Sequence, residues 1–211
     1  MIYIIKHRKY NNPVPDGYVE LGVGDFFKYE DDNINELNPY LNEVTGLYHI
    51  WKYAKEDIVG LCHYRRFFYY NNDYLKLDDA EEILKHHDII VAPKVNFNMT
   101  LYWQLRFEVE DSPTLDKYLQ LFYNRVPEFK NYLQEYGFNN REMFVCKKEL
   151  IDKYCEWLLP IIKPITEQFI REDKGTKCNQ RLVSHIIERL FSYWLRKENL
   201  NIYEMEYKDI W

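Results

Sequence analysis

Between Ile58 and Phe68 the chain reads I-V-G-L-C-H-Y-R-R-F-F, a short apolar run that stops at His63, Tyr64, Arg65 and Arg66. Apolar runs of this length, bounded by breakers, read as buried strands. Open α/β sheets bind ligands just beyond the carboxyl ends of their strands. An imidazole and two guanidinium groups placed there would make an anion site of the kind a nucleotide pyrophosphate needs, because the guanidinium fork matches phosphate oxygens. The same residues would serve equally well as a solvated face paired with surface carboxylates. Two acidic clusters also stand out. Asp31-Asp32-Asn33 reads as a loop able to touch a hard cation or sugar hydroxyls. Asp78-Asp79 sits at a helix start, where the dipole favours carboxylates, and reads as structural.

Several chemistries are excluded by what the sequence lacks. It has no G-x-G-x-x-G, no G-x-x-x-x-G-K-[ST] and only 7 glycines, so glycine-rich phosphate loops are absent. There is no H-E-x-x-H, His86-His87 has no partners at zinc spacing, and no G-x-S-x-G elbow occurs. A net charge of −6 argues against a general nucleic-acid footprint. The aromatic share of 18% supplies stacking faces as well as core. Cys62, Cys146, Cys155 and Cys178 form no C-x-x-C pair and, with no signal peptide, read as thiols of a reducing cytosol. No apolar run reaches the ~18–20 residues of a membrane span, so membrane contact is expected to be peripheral at most.

These residues need elements to position them. Ile2–Ile5 predicts an opening strand, Asn11–Gly17 a loop and Tyr18–Val23 a second strand. Residues 25–38 read as a loop. Asn38-Pro39 predicts a helix start, and Leu41, Val44, Leu47, Tyr48 and Trp51 carry an amphipathic helix to about Lys55. Glu43 lies off that stripe and is a ligand-facing candidate, whereas Trp51 is expected in the core. Strand, helix and strand then form a βαβ unit. A helix is expected over residues 78–87 and a strand over residues 88–93. Residues 94–111 have no clean period and read as a loop or lid. Helices follow over residues 112–125 and 127–136, the second closed by Gly137, then a short strand at residues 142–146. A helix from Lys147 should kink or break at Pro160 and Pro164. A polar turn, residues 171–177, leads to Asn179 capping a helix with Leu182, Ile186, Leu190 and Trp194 on one stripe. Residues 200–207 alternate like an edge strand. Of Arg65 and Arg66, strand alternation predicts that one binds and the other pairs elsewhere.

Two segments carry a family resemblance. Asp32-Asn33-Ile34-Asn35-Glu36-Leu37-Asn38-Pro39 leads into Glu43-Val44-Thr45-Gly46-Leu47-Tyr48-His49-Ile50-Trp51-Lys52, then Gly60-Leu61-Cys62-His63-Tyr64-Arg65-Arg66-Phe67-Phe68. The chain resembles a bacterial family long described as of unknown function, with D-N-I-S-E-x-N-P…E-L-T-x-L-Y-W-x-W-K-N…G-L-C-H-Y-R-R-Y-F. Met143-Phe144-Val145, Tyr154-Cys155-Glu156-Trp157 and Glu188-Arg189-Leu190 extend the match, as does the opening strand with His7 and Lys9. Departures are His49 for a Trp and Glu142 for an Asn, and residues 94–111 match poorly. Members belong to capsular, exopolysaccharide and lipopolysaccharide gene sets and are taken to be glycosyltransferases.

The resemblance implies an A-type glycosyltransferase fold, Rossmann-like α/β, with a mixed, mostly parallel sheet flanked by helices. It implies a single domain over residues 1–211, with a nucleotide-sugar half (1–93) and an acceptor half with the C-terminal helices (94–211). The donor would be a UDP-linked sugar, and the acceptor a glycan or lipid-linked glycan. The reaction would be hexosyl transfer in cell-surface polysaccharide assembly, in the cytoplasm at the inner membrane face. The alternative is a nucleotide-sugar or carbohydrate-binding module without strong catalysis. The donor-binding set expected is His7, Asp31, Asp32, Asn33, Glu43, Tyr48, His63, Arg65 and Arg66. Many enzymes of this fold neutralise the leaving diphosphate with a metal on D-x-D. None ends the 58–61 strand, so the cationic side chains are expected to share or take that role. Mn²⁺ or Mg²⁺ near Asp31-Asp32 is the fallback. Glu188 is the expected general base, the competing role being an ion pair with Arg189 or a neighbour.

Overall fold

The computed structural model describes residues 1–9, 13–24, 31–109, 112–173 and 180–210. The first strands are β1 (Ile2–Lys6) and β2 (Tyr18–Gly22). A short 3-10 turn at Asn35–Leu37 precedes α1 (Asn38–Leu41) and α2 (Val44–Tyr53). Then come β3 (Ile58–His63), β4 (Arg66–Tyr70), β5 (Asp73–Tyr74) and α3 (Leu77–Ile83). The middle of the chain holds β6 (Ile89–Val91), β7 (Lys94–Asn96), α4 (Leu101–Glu108), α5 (Ser112–Arg125) and α6 (Phe129–Tyr132). It closes with β8 (Gly137–Asn139), β9 (Phe144–Lys147), α7 (Lys148–Asp173), α8 (Leu182–Lys197), β10 (Ile202–Glu204) and β11 (Tyr207–Asp209).

The central sheet runs β10-β6-β9-β3-β1-β2, and β4, β5 and β11 extend it beside β3. β9 lies antiparallel to both its neighbours, while the other strands of that path share one direction. The sheet is thus mixed, mostly parallel along this path and flanked by helices, as expected. Its strands are apolar on both faces because both faces are covered. Alternate residues of β3, Val59 and Leu61, join the core beneath α2, α7 and α8, while Cys62 joins a second core with Phe67, Phe68, Ile83 and Leu84. Gly46 of α2 lies so close to β1 that a side chain there would collide with Ile5, which seats the helix tightly on the sheet.

Several local expectations are corrected. Asn38 does not cap a helix. It is the first residue of α1, and its Nδ2 donates to the Asn42 carbonyl (3.0 Å) and Thr45 Oγ1 (2.9 Å), stitching α1 to α2. The turn between them needs Asn42 at φ +48°, a conformation Asn tolerates better than most residues. Residues 94–108 form β7 and α4 rather than a loop. Leu101 and Leu105 make a buried helical pair, but exposed Trp103 and Phe107 obscure the period. Gly137 opens β8 rather than closing a helix. Pro160 and Pro164 lie within one continuous helix. Four residues apart, they share an exposed face, where water can bond the carbonyls they leave unpaired. α7 also extends to Asp173, through part of the expected polar turn; residues 174–179, including Cys178 and the expected cap Asn179, lie outside the described residues, as do 25–30 of the expected 25–38 loop. Cys62, Cys146 and Cys155 are buried and unbridged. No described helix is long and apolar enough to cross a membrane.

Candidate functional site

A cleft of about 570 Å³ opens beyond the carboxyl ends of β1 and β3. β1 brings His7 to its edge, and β3 ends at His63, one register step beyond the Ile4↔Cys62 pair. Tyr64 and Arg65 form a tight turn, and Arg66 begins β4 opposite His63. Both arginines therefore line the cleft. The alternation rule fails here because residue 65 belongs to the turn and not to a strand. Arg66 is also paired, with its Nε 3.0 Å from Asp209 Oδ1 on β11.

The reversed strand supplies the opposite wall. Because β9 runs against β3, with Leu61 beside Phe144, the loop entering β9 reaches the same end of the sheet as the end of β3. Arg141 and Glu142 thus join the cleft. Both adopt positive φ, +82° and +48°. Consecutive left-handed non-glycine residues cost of order 1–3 kcal/mol each and persist only where surroundings enforce them. Here His63 enforces them: its Nε2–H donates to the Arg141 carbonyl. That fixes the proton on Nε2, so Nδ1 accepts from Arg66 Nη1 at 3.4 Å, with Glu43 Oε1 also 3.4 Å away. Burial lowers the His63 pKa against the pull of Glu43, so the ring is neutral and acts as a spacer between cations and carboxylate.

α8 contributes Ser184, His185 and Glu188, and Arg181 precedes it. Burial, with Glu43 and Glu108 nearby, pushes Glu188 up to about 7 despite Arg189. Arg189 is not its ion-pair partner. It is fully buried, its Nη2 2.8 Å from Glu108 Oε2, its Nη1 donating to the His185 carbonyl at 2.6 Å, and its guanidinium above Phe138. This arginine ties α4 to α8 and leaves the Glu188 carboxyl facing the cleft. Glu142 is buried too, and burial, then Glu188 and Glu43, raise its pKa well above the usual carboxylate value.

Of the expected residues, His7, Glu43, His63, Arg65, Arg66 and Glu188 come together in this cleft. Asp31, Asp32, Asn33 and Tyr48 are not among its lining residues. Asp32 instead accepts from the Tyr48 hydroxyl (3.0 Å) and pairs with Lys52 (3.2 Å) on the exposed flank of α2. Lys52 and Tyr48 hold its carboxyl below the usual range. Asn33 closes its own turn, donating to the Asp31 carbonyl at 2.7 Å. Asp32 thus already has a cation, which suits a metal poorly, and no group of three or more His, Cys, Asp or Glu among the described residues is placed to hold one. Trp51 packs against the core, with Lys52 over its ring. Arg141, Arg181, His185 and Glu108 were not anticipated. A polar stretch, Asn139–Glu142, ahead of an apolar strand was the only sign of the first.

The arrangement defines a class first: a mixed α/β sheet with a cation-and-carboxylate cleft at its carboxyl ends. Its fold matches the solved apo structure of the WbbM bifunctional glycosyltransferase, with a TM-score of 0.81 and 20% identity over 99% of this chain. At that identity the likeness is one of fold, and the match spans 45% of the WbbM chain. No curated protein matches the sequence. The chain belongs to the family described as "Domain of unknown function (DUF4422)", whose model matches residues 1–199.

Proposed function

We propose that this protein is a glycosyltransferase that moves a hexosyl group from a UDP-linked sugar to a glycan or lipid-linked acceptor in cell-surface polysaccharide assembly. One observation carries the reading: Arg65, Arg66, Arg141 and Arg181 share a cleft with Glu188 at the carboxyl ends of the strands. The arginines neutralise the leaving diphosphate, the largest charge to develop in such a transfer. Glu188, with a pKa of about 7, takes the acceptor hydroxyl proton. His7, Glu43 and His63 order the donor side. A divalent cation is not assigned a site. Residues 1–93 supply the first arginine pair, and residues 94–211 the acceptor wall and the base.

The test is calorimetric titration with UDP and with UDP-hexoses, followed by an assay of UDP release with acceptor glycans. UDP binding should be weakened by R65A and by R66A, and R66A should depress transfer more than melting temperature. Wild-type turnover by R66A, or no nucleotide binding by the native chain, would sink the reading.

A further inference from the structure

We propose that Glu142 reads a carbohydrate hydroxyl, its buried carboxylic acid taking a hydroxyl of the bound sugar as hydrogen-bond partner. The inference rests on the nucleotide-sugar reading above. Glu142 is only 6% exposed, and its Oε1 is wholly buried with no hydrogen-bond partner. It lines the open cleft and also a chamber of about 10 Å³ behind it, the size of a single oxygen-bearing group. The Tyr154 hydroxyl, at the same chamber, is likewise buried and unpartnered. Glu43 also lines this chamber, and its other walls, among them Leu61, Phe144 and Phe191, are apolar. Native structures leave few such atoms unsatisfied, and those they keep call for a reason.

The chemistry selects a hydroxyl over a phosphate. Glu43 and Glu188 face Glu142 and, with burial, favour its protonated form. A phosphate offers only acceptors and would meet those two carboxyl groups. A hydroxyl both donates and accepts, as a neutral carboxyl does. The strained Arg141–Glu142 backbone, clamped by His63, fixes where the carboxyl points. The hydroxyl belongs either to the donor sugar or to the acceptor sugar.

The test compares wild type, E142Q and E142M. Gln keeps a donor and an acceptor at the same reach, and Met keeps the volume alone. Each is titrated with UDP and with UDP-glucose and UDP-galactose, and UDP release is followed against a panel of methyl hexosides. E142M should bind UDP like wild type. It should lose about tenfold either in affinity for the UDP-hexose, placing the hydroxyl on the donor, or in KM for the hexoside, placing it on the acceptor. E142Q should recover most of that loss. Ligand-free E142M should melt no lower than wild type, since a buried unpaired group has been removed. Should E142M prove insoluble, E142D, which retracts the carboxyl by one methylene, takes its place with the same expected loss. Unchanged binding and KM in E142M, loss of UDP itself, or no recovery by E142Q overturns the proposal while leaving the glycosyltransferase reading intact. A wild-type chain that binds neither UDP nor any UDP-hexose overturns both.

Discussion

The two ends of the central sheet carry cavities of opposite character. The one at the amino ends of β1 and β3 is larger, about 780 Å³ against about 570 Å³. It too has charge, from Met1, Glu56, Glu81, Lys147 and Lys148. Several of its polar groups are paired within the fold, however. The Met1 ammonium donates to the Ile58 carbonyl at 2.8 Å, Glu56 accepts from the Tyr3 hydroxyl, and Lys148 reaches the Trp51 carbonyl at 3.0 Å as well as Asp152. No residue lining it has a buried side-chain atom without a partner, among the described residues, whereas the carboxyl-end cleft has Glu142 Oε1 and Arg141 Nε. Its backbone is also strained, at Arg141 and Glu142. Volume does not separate the two ends; unsatisfied, strained polarity does, because stability alone would remove it.

That contrast can be broken by experiment. The largest effect is expected from E188Q, which should cut transfer by about 10²–10⁴-fold, the usual worth of a positioned base, with UDP affinity kept. E81Q, at the other end, should leave transfer unchanged. If UDP-release assays showed the reverse, the cavities would have been assigned the wrong way round. Next, R65A should weaken UDP binding by about 10–100-fold in calorimetry, the loss of a charge-assisted contact, while K147A should not.

The pH profile sharpens the same comparison. With Glu188 titrating at about 7, transfer should fall as pH drops below neutrality, because the base is then protonated. The stability effect has the opposite sense. A carboxyl whose folded pKa is raised stabilises the fold below its ordinary value of 4.5, and that contribution is lost as pH rises through about 7. E188Q should therefore be more stable than wild type at pH 8, by roughly 1–2 kcal/mol in denaturant unfolding, and show little difference at pH 4. The smallest effect is expected from K148M, about 1 kcal/mol of stability measured by denaturant unfolding, with UDP affinity untouched.

How much of this could be read from the chain depends on which physics each part obeys. β3 was legible because both faces are covered, so Ile58–Cys62 had to be apolar throughout. His63, Arg65 and Arg66 followed, since polarity must begin where that cover ends. Glu188 was legible only through resemblance. The second half of the cleft was not legible. Periodicity carries no information on strand direction, so nothing in Phe144–Lys147 said that β9 runs backwards and delivers Arg141 and Glu142 to the site. Asp31 and Asp32 misled for the converse reason. Their density suggested a ligand, but Tyr48 and Lys52, one helical turn apart on α2, satisfy Asp32. α4 was missed because its outward face is aromatic.

The reversal of β9 has an evolutionary consequence. In a parallel sheet every residue at the binding end follows its strand, and altering one disturbs the exit from a core element. Glu142 instead precedes its strand, on a loop whose anchor is a main-chain carbonyl held by His63. A main-chain anchor is indifferent to side-chain identity. The side chain at position 142 can thus change its chemistry while the loop keeps this anchor. On the proposed reading, it is the point at which sugar choice changes while the arginine cluster of the cleft stays as it is.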